Sequence, residues 1–325
     1  MKDKIKIGIV GYGNLGRGVE MAISQNKDME LVAIFTRRNP EKLQKNNKMK
    51  HISDVNNYKD QINVMILCGG SATDLPEQGP MISSTFNTVD SFDNHQRIPE
   101  YFETMDKVAK KSNTLSLISV GWDPGLFSLN RALFEAVLPG TTSYTFWGKG
   151  VSQGHSDAIR RVEGVKDGIQ YTIPIESALE KVRAFKNPEF KANQMHERIC
   201  YIVLEDGADF KTVENTIKTM PNYFEGYNTT VYAISEDELK EHYKGMPHGG
   251  FVIHSGRTGS GHGQRMEFSL TLEDNPEFTS SVLVAYARAV YRLSKEGKIG
   301  ACTAYDIPIG YLSPKTPEEL RRELL

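Results

Sequence analysis

The sequence predicts an α/β fold: a doubly wound parallel sheet over residues 1–125, followed by a region of mixed α+β character. Three observations predict it. Short β-branched runs alternate with helical patterns from Lys4 to Val120; a glycine-rich turn joins the first run to the first helical pattern; and beyond Arg131 the alternation gives way to strand-like stretches separated by long polar segments. Strands that alternate with helices are joined by crossovers, and crossovers make neighbouring strands parallel.

Each element has a local reason. The run KIKIGIV, Lys4 to Val10, is short, β-branched and bounded by glycine, so it reads as a strand, and Asn14 to Gln25 carries helical spacing. Glu30 to Thr36 is a second strand. Asn63 to Cys68 (NVMILC) is a third, with helix signals after Pro76. Asn87 to Phe92 and Thr114 to Val120 add two more strands, and Ile98 to Lys111 is the helix between them. Further on, SYTFWG, RICYIVLE and TTVYAIS read as strands of the mixed region. Near the end, SSVLVAYARAVYRLSKEG is a strong helix opened by Ser and closed by Gly297. Packed back on the first domain, it would let residues 277–325 complete the unit 1–125 and leave 126–276 as the second region. The Lys-rich LQKNNKMK around Lys45 to Lys50 reads as a solvated loop.

At 325 residues the chain exceeds the size at which single cores divide, so two or more domains around a ligand cleft are expected. A charged fraction of 25% and a net charge of -2 leave no basic excess to hold nucleic acid. No apolar stretch is long enough to cross a bilayer, and MKDK leads straight into a strand pattern, so a cytoplasmic protein without membrane or nucleic-acid partners is expected. Cys68, Cys200 and Cys302 are odd in number and far apart, which suggests neither a disulfide framework nor a zinc knuckle. His155 and His248 lack ligand spacing, so no metal is expected.

Gly11, Gly13 and Gly16 form G-x-G-x-x-G between a predicted strand and a predicted helix, the context of a Rossmann-type dinucleotide loop. Gly11 allows the tight turn, Gly13 the approach of a pyrophosphate to backbone N–H groups, and Gly16 close packing of helix on strand. An acidic residue about twenty positions on would bind a ribose hydroxyl. Here Thr36, Arg37 and Arg38 stand instead. A hydroxyl and planar guanidinium groups suit a 2′-phosphate, so NADP(H) is the favoured cofactor; two solvated arginines are the plainer alternative. Gly69, Gly70 and Ser71, after the third strand, are small residues at the edge where ligands bind in such sheets, although a Gly-rich turn fits the same spacing.

The next two strand ends carry VDSFDNH and SVGWDPGLFS, placing Asp93 and Asp123 on neighbouring loops. Two carboxylates near a nicotinamide would suit a cationic substrate, and one could take a proton before hydride leaves; turn chemistry is the competing account of each Asp.

Together GYGNLGRGVE, LCGGSATDLPEQGP, DSFDNH, SVGWDPGLFSLNR, TFWGKGVSQGHSDAIRR, QYTIP, TMPNYF and GMPHGG resemble the meso-diaminopimelate dehydrogenase family over essentially the full length. The resemblance implies an NADP-dependent, reversible oxidative deamination at the D-centre of meso-2,6-diaminopimelate, giving L-2-amino-6-oxopimelate and ammonia for lysine and cell-wall precursor synthesis. It also implies a homodimer, with 126–276 as the substrate-binding and dimerisation region.

Carried over by motif, the resemblance puts cofactor contacts on Tyr12, Gly13, Asn14 and Leu15, on Thr36, Arg37 and Arg38, and on Cys68 to Ser71. Ser91, Phe92 and Asp93, with Val120, Gly121, Trp122, Asp123 and Pro124, would lie between cofactor and substrate. Asp93, Asp123, Trp147, Gln153 and Gly154 would surround the reacting end, and Thr172, Arg198, His248 and Asn275 the distal end. Asp123 is the favoured base, with Asp93 beside it. A Rossmann oxidoreductase on another substrate and a non-catalytic NADP(H)-sensing protein are the alternatives; paired acids give an alcohol nothing cationic to bind, and a sensor has no need of the polar islands of the second half.

Overall fold

In the computed structural model residues 4–40 and 47–325 are described. The chain divides into two compact units, Met1–Leu129 with Pro276–Leu325, and Asn130–Asn275.

In the first unit β1 (Ile5–Val10) leads through the glycine turn to α1 (Asn14–Gln25) and β2 (Met29–Thr36). Then come β3 (Met49–His51), β4 (Val64–Leu67), α2 (Leu75–Ser83), β5 (Asn87–Asp90), α3 (Ile98–Ser112) and β6 (Leu115–Leu117). Helix α4 (Leu126–Val137) leads out of this unit.

The second unit holds β7 (Thr142–Trp147), β8 (Gly150–Val151), α5 (Gln153–Arg160), β9 (Val165–Pro174), α6 (Glu176–Arg183) and β10 (His196–Leu204). It continues with α7 (Phe210–Lys218), β11 (Asn228–Ala233), α8 (Glu236–His242), β12 (His248–Thr258) and β13 (His262–Leu272). Helix α9 (Asn275–Lys295) returns the chain to the first unit, which ends with β14 (Gly300–Cys302) and α10 (Pro317–Leu324).

The sheet of the first unit has the order β14-β6-β5-β4-β1-β2-β3, and its strand pairs are parallel. Apart from β14, this is the doubly wound order, which reverses direction beside β1 and opens a ligand crevice at the carboxyl edge there. The strands read as near-continuous apolar runs because helices cover both faces. On one face Ile7, Ile9, Val64 and Ile66 are fully buried with Val19 of α1 and Leu283, Ala287 and Val290 of α9. Each large side chain so buried contributes about 1.5–3 kcal/mol. Arg288 of α9 is buried and donates to Asp28 Oδ1 (2.9 Å), Asp28 Oδ2 (2.6 Å), Asn26 Oδ1 (2.7 Å) and the Leu312 carbonyl (2.7 Å). Its hydrogen bonds hold the Asp28 carboxyl below the usual carboxylate range.

The second unit has two sheets, β11-β10-β9-β8 and β13-β12-β7. The 11-residue strands β12 and β13 form an antiparallel hairpin.

Four expectations change. Met49 and Lys50 of the expected solvated loop belong to edge strand β3, where Met49 is buried and Lys50 pairs with Phe35; a three-residue strand with one core side chain has too little period to read. Residues 43–46 of that loop, Lys45 among them, lie outside the described residues. The strands expected to reach Phe92 and Val120 stop at Asp90 and Leu117, because Asp90 Oδ1 takes the N–H groups of Phe92 and Ser119. The helix expected to open at Ser280 begins at Asn275, since Pro276 in a first turn gives up an N–H that would have no partner there. Among the described residues no helix is long and apolar enough to cross a membrane.

Candidate functional site

The first unit carries a cleft of about 250 Å³ at the carboxyl edge of β1, β2 and β4. Gly11, Tyr12, Gly13, Thr36, Arg37, Arg38, Cys68 and Gly69 all line it, so residues up to 58 positions apart in the chain share one wall. Gly11 has φ +93°, a left-handed turn that few side chains adopt. A Cβ on Gly16 would come within 2.2 Å of the Gly11 carbonyl oxygen, whereas one on Gly13 would meet nothing within 4 Å. Folding therefore accounts for two of the three glycines. Gly13, the N-cap of α1, makes no side-chain cap and fronts open space at the positive end of that helix, where Asn14, Leu15 and Gly16 form the first turn. An anion fits there.

At the far wall the Arg38 Nη2 donates to the Tyr12 carbonyl (2.5 Å), and the Arg38 N–H donates to Thr36 Oγ1 (3.1 Å). Arg37 Nη2 pairs with Asp74 Oδ1 (2.5 Å), and Asp74 Oδ2 accepts the Gly70 N–H (3.0 Å). Asp74 and Gln78, from α2 and its N-cap, also line the cleft; sequence reasoning missed them, though both stand in the quoted TDLPEQ. Burial pushes the Cys68 thiol up, so it stays protonated and serves as wall rather than nucleophile.

Ser71 Oγ accepts the Asp93 N–H (3.0 Å), and the Val120 N–H donates to the Asp90 carbonyl (3.0 Å). The loop Ser91–Phe92–Asp93 thus runs beside Val120, Gly121, Trp122, Asp123 and Pro124, and the Gly121 N–H closes that turn on the Pro124 carbonyl (2.8 Å).

The second unit builds a cluster of polar side chains by strand register. Arg198 of β10 stands opposite Thr172 of β9 and donates through Nη1 to the Thr172 hydroxyl. Its guanidinium lies 4.4 Å over the Tyr227 ring, and its Nε is buried with no hydrogen-bond partner. Gln170 donates through Nε2 to Thr172 (3.3 Å), while its Oε1 is also buried and unpartnered. Thr172 also pairs with Gly150, where a Cβ would come within 2.5 Å of His248. Gln153, next to Gly154 at the start of α5, donates to Met246 Sδ (3.0 Å), and the Met246 carbonyl accepts the Asn275 N–H (2.9 Å). The half-buried Arg198 and the buried Gln170 thus meet on Thr172 with a buried Nε and Oε1 unused, and a cation kept there favours an anionic guest.

Two histidines adjoin Arg198. His196 Nε2 accepts the Trp147 N–H (2.9 Å), with the two rings 5.4 Å apart. His155 bonds Ser152 Oγ through Nδ1 (2.7 Å) and meets the Tyr223 and Phe224 rings edge-on. Burial first and the Arg198 charge second push both down to about 4, so both are neutral near neutral pH. With Nε2 accepting, the His196 proton sits on Nδ1. His196 and Tyr227 were not singled out from the sequence. His196 had a signal: in a strand, position i shares a face with i+2, and i+2 is Arg198.

Comparison with known proteins supplies the family. The family model for the diaminopimelic acid dehydrogenase C-terminal domain matches residues 121–274. A curated relative from Ureibacillus thermosphaericus, meso-diaminopimelate D-dehydrogenase, is 64% identical over 325 residues, covering 99% of this chain and 100% of the relative. A substituted meso-diaminopimelate dehydrogenase from Clostridium tetani, solved with diaminopimelate, superposes with TM-score 0.96 at 65% identity, covering 99% of this chain and 100% of that one. An engineered D-amino acid dehydrogenase bound to NADP+ gives 0.88 at 42% identity, covering 99% and 100%. Identity at that level over the whole length, on the fold and cleft just described, leads to one assignment: the chain belongs to the meso-diaminopimelate D-dehydrogenase family.

Proposed function

We propose that the protein oxidatively deaminates the D-centre of meso-2,6-diaminopimelate with NADP+ and water, giving L-2-amino-6-oxopimelate, ammonia, NADPH and a proton, and that the reaction is reversible. The observation that carries the reading within this molecule is the half-buried Arg198, whose buried Nε has no partner, and the buried Oε1 of Gln170, which shares the Thr172 hydroxyl with it. A substrate that is an amino acid at both ends brings a carboxylate for the first and an ammonium for the second.

NADP supplies the hydride acceptor. Gly11 to Gly16 receive its pyrophosphate at the start of α1, and Thr36, Arg37 and Arg38 its 2′-phosphate. Cys68 to Ser71 contact the cofactor, and Ser91 to Asp93 with Val120 to Pro124 lie between cofactor and substrate. Asp93 and Asp123 hold the ammonium of the D-centre, and Asp123 takes its proton so that the nitrogen lone pair can assist departure of the hydride. Water then adds to that carbon, and ammonia leaves. Trp147, Gln153 and Gly154 orient the near carboxylate, and Thr172, Arg198, His248 and Asn275 fix the distal centre. Holding the distal centre is what selects the D-configured carbon for reaction.

On this reading residues 1–125 with 277–325 bind the cofactor, 126–276 bind substrate and form a homodimer, and the enzyme works in the cytoplasm. Purified protein given NADP+ and meso-diaminopimelate should form NADPH and ammonia in equal amounts. No turnover of this substrate alongside robust turnover of an alcohol removes the reading. Light scattering should return twice the chain mass; a monomer mass overturns the dimer.

A further inference from the structure

Asp90, at the end of β5, is fully buried, yet the chemistry above gives it no part. Its Oδ1 accepts two backbone N–H groups at 3.0 Å each, Phe92 from its own loop and Ser119 from the loop after β6. Its Oδ2 accepts the Tyr101 hydroxyl at 2.8 Å. Tyr101 comes from α3, and its ring stacks on Phe92 with centroids 4.2 Å apart. Ser119 has φ +58°, a conformation that a serine adopts only when its surroundings hold it there.

One carboxylate therefore ties together the segments that carry Asp93 and Asp123, three and four residues beyond its two anchor points Asp90 and Ser119. Helix α2 makes room for the third bond: a Cβ on Gly79 would come within 2.3 Å of the Tyr101 hydroxyl. Desolvation pushes the Asp90 carboxyl up to about 6, and the three donors offset part of that cost. An isolated carboxyl in an apolar core would be expensive to keep; this one is kept where two loops need a shared acceptor.

We propose that Asp90, braced by Tyr101, is a positioning residue that fixes the spacing of the Asp93 and Asp123 loops for deprotonation and hydride transfer. The inference rests on the proposed reaction, and its test keeps the two separable. Asp90→Asn retains an oxygen for both N–H groups and an amide that donates to Tyr101, so geometry survives while the charge is lost. Asp90→Ala removes the shared acceptor. Tyr101→Phe removes only the brace.

In the full-length protein, kcat with meso-diaminopimelate should fall about 100-fold in Asp90→Ala, as a misplacement of about 1 Å would cause, while the dissociation constant for NADP stays within about threefold. Asp90→Asn should recover kcat to within about fivefold of wild type, and Tyr101→Phe should fall between the two. The deuterium isotope effect on kcat, with label at the D-centre, should rise in Asp90→Ala because the hydride step becomes limiting. Independently of turnover, amide exchange at residues 91–93 and 119–123 should speed up in Asp90→Ala and stay near wild type in Asp90→Asn. Unchanged kcat and exchange in Asp90→Ala, or an Asn variant as impaired as the Ala variant, overturns the proposal. If Asp90→Ala does not fold, Tyr101→Phe decides: faster exchange at 91–93 supports the brace and unchanged exchange overturns it. Wild-type protein inert toward meso-diaminopimelate would sink the reaction, and the exchange comparison would still judge Asp90.

Discussion

The two units build their halves of the chemistry from different materials. In the first, the cleft is shaped by backbone: a glycine turn, a helix N-terminus and loop ends at a parallel sheet edge, with charged groups such as Arg37 standing 68% exposed. In the second, a polar cluster is aligned by strand register, with Gln170 and His196 buried and Arg198 half-buried and partly desolvated. In the backbone cradle binding and folding can be told apart, because Gly11 and Gly16 serve the turn and its packing while Gly13 meets nothing within 4 Å. A cluster of desolvated polar side chains joins them, since the groups that would bind ligand also bear the cost of burial.

The largest expected effect follows on the buried side. Arg198→Met should weaken meso-diaminopimelate binding by about 2 to 5 kcal/mol, as for breaking a buried charged pair. An unchanged KM for the diamino acid would remove that role. Next comes acid sensitivity. His155 and His196 sit near 4 when folded against 6.5 for a free imidazole, so between those values the unfolded chain binds protons that the folded chain refuses. Stability is fully present above 6.5 and falls as pH drops toward 4, by at most about 3 kcal/mol for each histidine. Urea midpoints followed by tryptophan fluorescence from about pH 7 to about pH 5 should show the decline, with a smaller slope in His196→Phe. Equal midpoints would contradict it.

On the backbone side, two alanines should part company. Gly16→Ala places a methyl against the Gly11 carbonyl and should cost about 1–3 kcal/mol of stability as well as NADP affinity. Gly13→Ala meets no protein atom, so its melting temperature should hold while NADP binding weakens about tenfold, read by titration of the cofactor. A Gly13→Ala variant with full affinity would mean that the open space over α1 is not the pyrophosphate's. Arg37→Ala, at an exposed position shared with Asp74, should have the smallest effect, about 1 kcal/mol on NADP and less on residual NAD activity. Equal losses with both cofactors would break the phosphate clamp.

The same difference explains what could be read in the chain. The cofactor loop was legible because its requirements are local: a strand, three glycines and a helix within about two dozen residues announce one another. Helix α1 spans the residues expected of it, Asn14–Gln25. The pairing of Arg198 with Thr172 is settled by register between strands 26 residues apart, which no local pattern displays, and resemblance alone joined them in advance. Hairpin β12–β13 did have a local signal: Met266, Phe268, Leu270 and Leu272 alternate with Glu267, Ser269 and Thr271. Its polar flank and glycine-rich turn masked that period. Asp90 carries no such signal: DSFDNH offers two acids three residues apart, and only the packing of the fold shows that the first is the buried one.

Meso-diaminopimelate deuterated at one centre at a time tests the central claim most directly, that an anion-gripping cradle and the half-buried Arg198 guanidinium together select one carbon for hydride transfer. With NADP+, label at the D-centre should arrive in NADPH and label at the L-centre should stay in the product. Deuterium appearing in the cofactor from the L-centre, or from neither, would contradict the account.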